Sequence, residues 1–281
     1  MPELPEVETI RRGLDSRIIK KKITNITVLC EKSFQGEKTF GRVKKIRRFG
    51  KALIIDLDNN KSFMIHLRMT GQLIYDEKER FAAGHPSENF VAHLPNQQTR
   101  VIINFESGTL YFNDQRKFGF IKVLPTSEVE ADAFIKKLAK EPWALTAKEL
   151  YDKLQRHKNA PIKATILDQT IICGLGNIYA DEALFMAKIH PLSKSGSLSL
   201  SQTQDLILAA REVMEKSIDA GGSTMATYLK ADGTKGDYLE NFAQVFRREG
   251  KPCPRCKTKI VKIRVAGRGT HVCPHCQRRL G

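Results

Sequence analysis

The alternation of apolar and polar positions divides the chain into regions of different type. Near the N-terminus, apolar residues at spacings of three, four and four predict an amphipathic helix over residues 5–18. From about residue 23 to 124, short apolar runs such as ITNITVL, KALIIDL and RVIINF alternate with the turn signals DNN and ESG. Many short strands at this spacing predict an all-β sandwich or barrel. The apolar stripe of the helix consists of Val7, Ile10, Leu14 and Ile18.

The second half of the chain is helical in pattern and ends in a different kind of segment. Helical periodicity runs through AKELYDKLQRHK, PIKATILDQTII, NIYADEALFMAKI and LSQTQDLILAAREVMEKSI. A segment rich in Gly, Thr and Ser follows, and so long a loop is usually functional or disordered. We therefore expect an α+β protein. Its parts are a β-sandwich domain (1–128), a linker (129–145), a helical domain (146–244) with a long loop (221–241), and a small C-terminal module (245–281).

Composition and charge limit where the protein is expected to act and what it is expected to bind. The 281 residues are 41% hydrophobic and contain no apolar run of about 18 residues, so no membrane span is expected. The N-terminus lacks the pattern of a signal peptide, and the expected location is the cytoplasm. A net charge of +16 favours a polyanion as partner, whereas a solvated basic surface without a ligand is the alternative.

Four of the six cysteines form two C-x-x-C pairs. The pairs CPRC and CPHC flank two strand-like runs joined by Ala266-Gly267-Arg268-Gly269, and this arrangement predicts a four-thiolate zinc site on a β-hairpin. So small a module needs a metal to fold, whereas a disulfide or redox pair is the alternative. We interpret Cys30 and Cys173 as small buried apolar residues. The predicted ligands are Cys253, Cys256, Cys273 and Cys276.

This C-terminal module is strongly basic. After Glu249 the chain has no acidic residue, so the module is predicted to contact phosphates. Arg268, between two glycines at the predicted hairpin tip, is the side chain best placed to reach into a groove. Since zinc ribbons also mediate protein contacts, the hairpin alone does not decide between nucleic acid and another protein as the partner.

A glycine-rich turn lies between two of the helical segments. In Gly174-Leu175-Gly176-Asn177 the glycines allow a close approach of the backbone, and the next helix presents free N–H groups. This pattern suits a phosphate, with Asn177 as helix cap or direct donor and with Lys158 and Lys163 as additional cations. A plain helix–helix turn capped by asparagine is the alternative.

The first residues suit nucleophilic chemistry. Removal of Met1 would leave Pro2 with a free secondary amine, and an α-amino group titrates near about 7.7–8.0 against about 10.4 for lysine. The adduct of a secondary amine with a sugar aldehyde carbon is an iminium that has no N–H to lose and stays cationic. Glu3 is placed to relay protons. A simple helix entry is the alternative, and we assign Glu8 only to stabilising the helix dipole.

These motifs together resemble one known family. MPELPEVET, GKALI, HLRMTG, DQRKFG, GLGNIYADE, a GG-T loop and VAGRGTH between the C-x-x-C pairs are similar to the formamidopyrimidine-DNA glycosylases, a family of bacterial repair enzymes. The likeness runs from residue 2 to 278 in the same order. Leu4 favours this family over the related endonuclease VIII, which typically has glycine there. The resemblance implies a catalytic N-terminal helix, a helix–two-turn–helix domain and a zinc-finger hairpin.

The resemblance also implies roles for individual residues. Pro2 resembles the family's nucleophile at C1′ of the damaged nucleoside, Glu3 its general acid and Glu6 a carboxylate near the lesion. Lys51 resembles a lysine that contacts phosphate and assists proton transfer. The side chains similar to those that fill the gap left by an extruded base are Met69, Arg116 and Phe118.

Further likenesses concern the DNA backbone and the lesion. Asn177, Lys158 and Arg268 resemble phosphate contacts, and Arg268 is also implicated in the later elimination. The loop 221–241 is similar to a lid over the extruded purine.

Three positions depart from the family's pattern. Phe49 stands where the family often has arginine, and Phe246-Arg247 stands where it usually has Tyr-Gly. A histidine that contacts DNA in relatives has no counterpart in NQQTR, so we expect Gln98 or Arg100 to substitute for it.

The sequence therefore favours a monomeric, cytoplasmic, nucleoid-associated enzyme with one structural zinc ion per chain. The expected activity is excision of 8-oxoguanine and ring-opened purines from duplex DNA, followed by β- and δ-elimination. The alternatives are an endonuclease VIII type that acts on oxidised pyrimidines, and a damage-binding protein without catalysis.

Overall fold

The computed structural model describes most of the chain, as two compact units. The first unit is the N-terminal part up to Lys136 together with residues 218–222, and the second unit comprises the rest. No helix within the described part of the chain has the length and apolar character needed to cross a bilayer. The described residues are 2–84, 93–222 and 241–281.

The first helix, α1, spans Leu4–Ile18 and confirms the amphipathic prediction with a start one residue earlier. Pro5 lies in its first turn, where the missing N–H has no partner to lose. The predicted apolar stripe is buried, and each such side chain contributes about 1.5–3 kcal/mol by leaving water. Gly13 is required by packing, because a Cβ there would lie 2.2 Å from Cζ of Phe81.

Two five-stranded sheets form the predicted sandwich. Their strand orders are β1-β8-β9-β6-β7 and β2-β10-β5-β4-β3, and the pairs are antiparallel except for β2 with β10. Inward-facing side chains of both sheets pack with the apolar stripe of α1 into one core. The strands are β1 Ile23–Val28, β2 Phe34–Gln35, β3 Val43–Phe49, β4 Ala52–Leu57, β5 Lys61–His66, β6 Gly71–Asp76, β7 Phe81–Gly84, β8 Thr99–Phe105, β9 Thr109–Asp114 and β10 Phe120–Pro125.

The remaining helices confirm the α+β class. Helix α3 begins with a reciprocal cap, in which the Thr146 N–H donates to Oε2 of Glu149 at 2.9 Å and the Glu149 N–H donates to Oγ1 of Thr146 at 3.2 Å. The helices are α2 Ala133–Lys136, α3 Ala147–Arg156, α4 Ile162–Ile166, α5 Asn177–Met186 and α6 Leu200–Asp219.

The C-terminal hairpin consists of β11 (Val261–Val265) and β12 (Arg268–Val272). Its turn has two residues, Ala266 with φ of 46° and Gly267 with φ of 76°. The sequence placed Arg268 within a four-residue tip, but Arg268 instead begins β12 and pairs with Val265. Two consecutive left-handed residues match the twist of the strands, so the shorter turn is favoured.

Candidate active site and nucleic-acid interface

Pro2, Glu3 and Glu6 lie together at the start of α1. Glu3 is the N-cap residue, and its backbone N–H donates to Oε2 of Glu6 at 2.7 Å. All three residues are buried, with Glu3 2% and Glu6 4% exposed. Gly222 also approaches this point, since a Cβ on it would lie 3.6 Å from Oε1 of Glu6. The helix start thus places two fixed carboxylates next to the proline.

Glu8 does more than stabilise the helix dipole. Its carboxylate accepts hydrogen bonds from Arg11 and Arg12 of α1, and from Nε of Arg48 in β3 at 3.1 Å. Burial opposes ionisation, but the hydrogen bonds from Arg11 and Arg48 outweigh it and lower the pKa of Glu8 to about 2. This contact could not be predicted from the sequence, because Arg48 lies 40 positions from Glu8 along the chain. Glu8 therefore joins α1 to the sheet.

Lys51 lies in the turn between β3 and β4 and is buried. The next residue, Ala52, pairs with His66 at the end of β5. His66 accepts a hydrogen bond on Nδ1 from the Arg68 N–H at 3.0 Å. Burial, with the positive charges of Arg68 and Lys51, lowers the pKa of His66 to about 3, so its ring is neutral near pH 7. His66 belongs to the HLRM motif of the family likeness, but it was not among the predicted site residues.

Met69, Arg116 and Phe118 project from two loops of the first unit. Met69 is 36% exposed and Phe118 54% exposed, large values for apolar side chains. The guanidinium of Arg116 lies 4.7 Å from the centroid of the Phe118 ring. The loops are joined by Asp114, whose Oδ1 accepts a short hydrogen bond from the Thr70 hydroxyl. The structure thus presents three exposed side chains on connected loops.

Gln98 and Arg100 are both buried at the start of β8. Nε of Arg100 donates to the Asp114 carbonyl at 2.8 Å, and Nη1 donates to the Gln97 carbonyl at 3.0 Å. The backbone carbonyl of Gln98 accepts from the Asp114 N–H at 2.9 Å. The DNA contact expected of Gln98 or Arg100 stays a prediction. The observed hydrogen bond of Arg100 holds the backbone of Asp114 in place.

In the second unit, the glycine-rich turn leads into α5. Gly176 is the N-cap and offers no side chain to cap the first turn of α5. Gln169 organises the turn by accepting from the Gly174 N–H at 3.0 Å and donating to the Leu175 carbonyl at 2.8 Å. Asn177 is the first helical residue, not the cap, and its Nδ2 donates to the Gly269 carbonyl of the hairpin at 3.1 Å.

The cations assigned to this phosphate site differ in accessibility. Lys158 and Arg268 are exposed. Lys163 is fully buried, 2.6 Å from the Asp181 carboxylate, and donates to Oγ1 of Thr270 at 2.8 Å. The prediction that Lys163 adds cationic reach is therefore wrong. Its charge is neutralised inside the unit, where the pair connects α4 and α5 to the hairpin.

The four cysteines of the C-terminal module converge as a metal site. Their sulfur atoms all lie within 4.8 Å of one another, with Cys253 to Cys276 at 3.8 Å and Cys256 to Cys273 at 3.5 Å. A tetrahedral site with Zn–S bonds of about 2.3 Å requires sulfur separations of about 3.8 Å. The thiolates therefore fit one structural zinc ion, as predicted. The other two cysteines lie outside this cluster, Cys173 buried and Cys30 only partly buried, which corrects the expectation for Cys30.

The predicted lid, 221–241, lies almost entirely outside the described residues. Gly221 and Gly222 are described, and both have left-handed backbone angles, with φ of 84° and 92°. Glycine is the residue that adopts such angles without a steric penalty. The remainder of the lid stays a prediction.

Comparison with known proteins places these features in one family. The chain matches the formamidopyrimidine-DNA glycosylase N-terminal domain over residues 1–121, the H2TH domain of the same enzymes over 138–228, and a zinc finger found in FPG and IleRS over 250–279. It is 40% identical to the formamidopyrimidine-DNA glycosylase of Pelotomaculum thermopropionicum, covering 99% of each chain. The enzyme of Streptococcus pyogenes is 38% identical, again with 99% coverage of both chains.

Solved structures of Lactococcus lactis Fpg show the same fold. A variant of that protein in complex with DNA containing Fapy-dG is 34% identical, with a TM-score of 0.86, 99% of this chain covered and 100% of that chain. A complex of L. lactis Fpg with abasic-site DNA gives the same identity, TM-score and coverage. The chain therefore belongs to the formamidopyrimidine-DNA glycosylase family, whose members are DNA glycosylases with AP lyase activity.

Proposed function

We propose that the protein excises oxidised purines, including 8-oxoguanine and formamidopyrimidines, from duplex DNA and then cleaves the strand by β- and δ-elimination. The burial of Glu3 and Glu6 at the α1 start beside Pro2 is the observation that carries this proposal. Family membership and the DNA-bound L. lactis relatives support duplex DNA as the partner.

The proposed chemistry begins at the nitrogen of Pro2 after removal of Met1. This nitrogen attacks C1′, the glycosidic bond breaks, and the base leaves with its electron pair and a proton supplied by Glu3. Opening of the sugar breaks the C1′–O4′ bond, O4′ leaves with the electron pair and takes up the proton lost by the amine, and an iminium forms between the proline nitrogen and C1′. Because this nitrogen carries no hydrogen, the iminium stays positive and withdraws electrons from C2′.

Strand cleavage follows from that positive charge. Loss of a C2′ proton expels the 3′ phosphate, and a second elimination expels the 5′ phosphate, leaving a one-nucleotide gap. Lys51, in the β3–β4 turn, contacts a phosphate and assists proton transfer in this proposal. Arg268, exposed at the start of β12, serves the later elimination.

The remaining site residues bind DNA in this proposal. Met69 and Phe118 wedge into the duplex, and Arg116 donates hydrogen bonds to the cytosine left without a partner. Asn177 and Lys158 contact phosphates near the α5 N-terminus.

A panel of lesions tests the proposal. Duplexes that differ only in the damaged base, 8-oxoguanine, a formamidopyrimidine or thymine glycol, are incubated with the protein, and released base and strand products are quantified. We expect efficient release of both purine lesions and products with phosphate at both ends of the gap. Efficient cutting of thymine glycol but not of 8-oxoguanine would instead assign the endonuclease VIII type of activity. Binding without release of any base would assign a non-catalytic damage-binding protein.

A further inference from the structure

We propose that Asp114 is a positioning residue that holds Met69, Arg116 and Phe118 as one preformed wedge. Asp114 is the last residue of β9, and Met69 belongs to the loop between β5 and β6. Arg116 and Phe118 lie in the loop between β9 and β10. The inference rests on the proposed function, because the wedge has a purpose only if a base is extruded from duplex DNA.

The carboxylate of Asp114 contacts both loops. Asp114 is fully buried. Its Oδ1 accepts from the Thr70 hydroxyl and from the Arg116 N–H at 3.2 Å, while Oδ2 accepts from the Gly119 N–H at 2.7 Å. The Thr70 hydroxyl oxygen also accepts from the Arg116 N–H at 3.0 Å. One buried carboxylate thus fixes the loop of Met69 to the loop of Arg116.

These bonds stabilise backbone conformations that are otherwise disfavoured. Lys117, between Arg116 and Phe118, has φ of 56°, and Arg68, directly before Met69, has φ of 52°. A left-handed angle is unfavourable for residues other than glycine and persists where surrounding contacts impose it. The Asp114 carboxylate accepts hydrogen bonds from the N–H groups of Arg116 and Gly119, which lie on either side of Lys117. The carboxylate therefore imposes the bend that projects Phe118.

The loop of Met69 is closed independently at its base. The Gly71 N–H donates to the Leu67 carbonyl at 2.9 Å, and a Cβ on Gly71 would lie 2.4 Å from that carbonyl oxygen. Thr70, through its contacts with Asp114 and with the Arg116 N–H, therefore links the Met69 loop to the other loop.

Asp114 is itself fixed through its backbone. Its carbonyl accepts from Nε of Arg100 at 2.8 Å, and its N–H donates to the Gln98 carbonyl at 2.9 Å. A wedge held in this way loses little conformational freedom when it enters DNA. Loosening it should therefore penalise the step in which the base leaves the stack more than the later chemistry at the sugar.

The test compares two substrates in single-turnover reactions. One is an 8-oxoguanine duplex, and the other is the same duplex with a preformed abasic site, which has no base to extrude. Asp114→Asn keeps the side-chain volume but replaces one carboxylate oxygen by an NH₂ group, which faces N–H or O–H donors in the two loops. Thr70→Val removes the hydroxyl that links the loops. We expect excision to fall by about tenfold to a hundredfold in Asp114→Asn. Cleavage of the abasic site should change by less than about threefold.

Two further variants complete the design. Thr70→Ser keeps the hydroxyl and should retain excision. Asp56→Asn is the matched control, because Asp56 is a buried sheet carboxylate that accepts from Arg47 at 2.7 Å and from Ser62 at 2.7 Å, in the other sheet. We expect it to lower the two activities equally or not at all. Melting temperatures identify any variant that fails to fold. If Asp114→Asn does not fold, the same comparison of the two substrates is made with Thr70→Val, which should also lose excision and keep abasic-site cleavage.

A fluorescent reporter separates failure of this inference from failure of the proposed function. With 2-aminopurine next to a tetrahydrofuran abasic analogue, saturating wild-type protein should raise the fluorescence by unstacking the reporter. Asp114→Asn should give a clearly smaller rise, whether or not the wild type excises 8-oxoguanine. An undiminished rise, or equal losses on both substrates in a folded Asp114→Asn, would overturn the positioning role.

Discussion

With Met1 removed, the nitrogen of Pro2 would be a secondary amine, and its adduct with a sugar would differ in charge from that of a lysine. Near neutral pH an α-amino group is partly unprotonated, whereas an ordinary lysine is almost entirely protonated. The chemistry proposed for Pro2 could be predicted from MPELPE because it depends on covalent structure. The packing of Glu3 and Glu6 around it could be anticipated only as a helix start.

Pro2→Gly tests the nucleophile at this scale. We expect release of 8-oxoguanine to fall by about a hundredfold or more while affinity for the damaged duplex is retained. In the proposed reaction the base leaves as the amine attacks C1′, and glycine offers that amine on a chain end without the ring that fixes it, so attack should slow. Any imine that forms can also lose its N–H proton and with it the positive charge, which weakens the later elimination. Gel-based excision and fluorescence anisotropy on the same duplex measure the two quantities. Excision by the variant at the wild-type rate would disprove the assignment.

His66 makes stability depend on pH. Its pKa falls from the ordinary 6.5 to about 3 in the folded state. Below pH 6.5 the unfolded chain therefore binds more protons, and the free energy of unfolding decreases as pH falls, with a limiting slope of about 1.4 kcal/mol per unit. This contribution is fully present above pH 6.5 and is lost progressively towards pH 3.

Urea unfolding between about pH 7 and pH 5 measures this dependence. His66→Gln should give a shallower decrease than the wild type, because the titrating ring is absent. His157→Gln is the control, since His157 is exposed at the end of α3. Parallel pH profiles for wild type and His66→Gln would contradict the expectation.

At the scale of elements, the strongly patterned segments were predictable and the short ones were not. The helix α1 and the buried runs of β4 and β9 follow from periodicity. Strands β2, of two residues, and β7, of four, are too short to show alternation. The burial of Lys163 was also missed, because its partner Asp181 lies on another helix.

Asp114 shows why part of the site could not be read from the sequence. The sequence places it in the quoted motif DQRKFG, but its contact with Thr70 joins residues 44 positions apart. Only the pairing of β6 with β9 brings them together. A role for exposed side chains such as Phe118 could be predicted from the family likeness, whereas the buried contacts of Asp114 became visible only in the fold.

Cys273→Ser tests the zinc hairpin as an element. Loss of one thiolate should release the zinc and, because metal binding supplies folding free energy to so small a module, disorder the hairpin that carries Arg268. We expect affinity to fall for damaged and intact duplex alike. Cys173→Ser is the matched control, since this buried cysteine lies outside the metal site. Metal analysis with duplex binding measures both effects, and full affinity in a zinc-free Cys273→Ser would contradict them.

For the whole molecule, a proposed reaction on DNA accounts for both the positive charge and the residues at the chain start. A net charge of +16 supports binding along a phosphate backbone, which positions the protein without reading sequence. After Glu249 the C-terminal module has Lys and Arg but no Asp or Glu, so its negative side-chain charge comes from the zinc-binding thiolates. The charge explains attraction to DNA, whereas the proposed reaction depends on a single atom, the nitrogen of Pro2.

Identification of that atom is the most direct test of the account. The protein is incubated with 8-oxoguanine duplex, the covalent intermediate is reduced with borohydride, and the conjugate is digested and mapped by mass spectrometry. The account predicts a deoxyribose adduct on the N-terminal peptide, at the nitrogen of Pro2 with Met1 removed. An adduct on Lys51 or on any other internal side chain would contradict it.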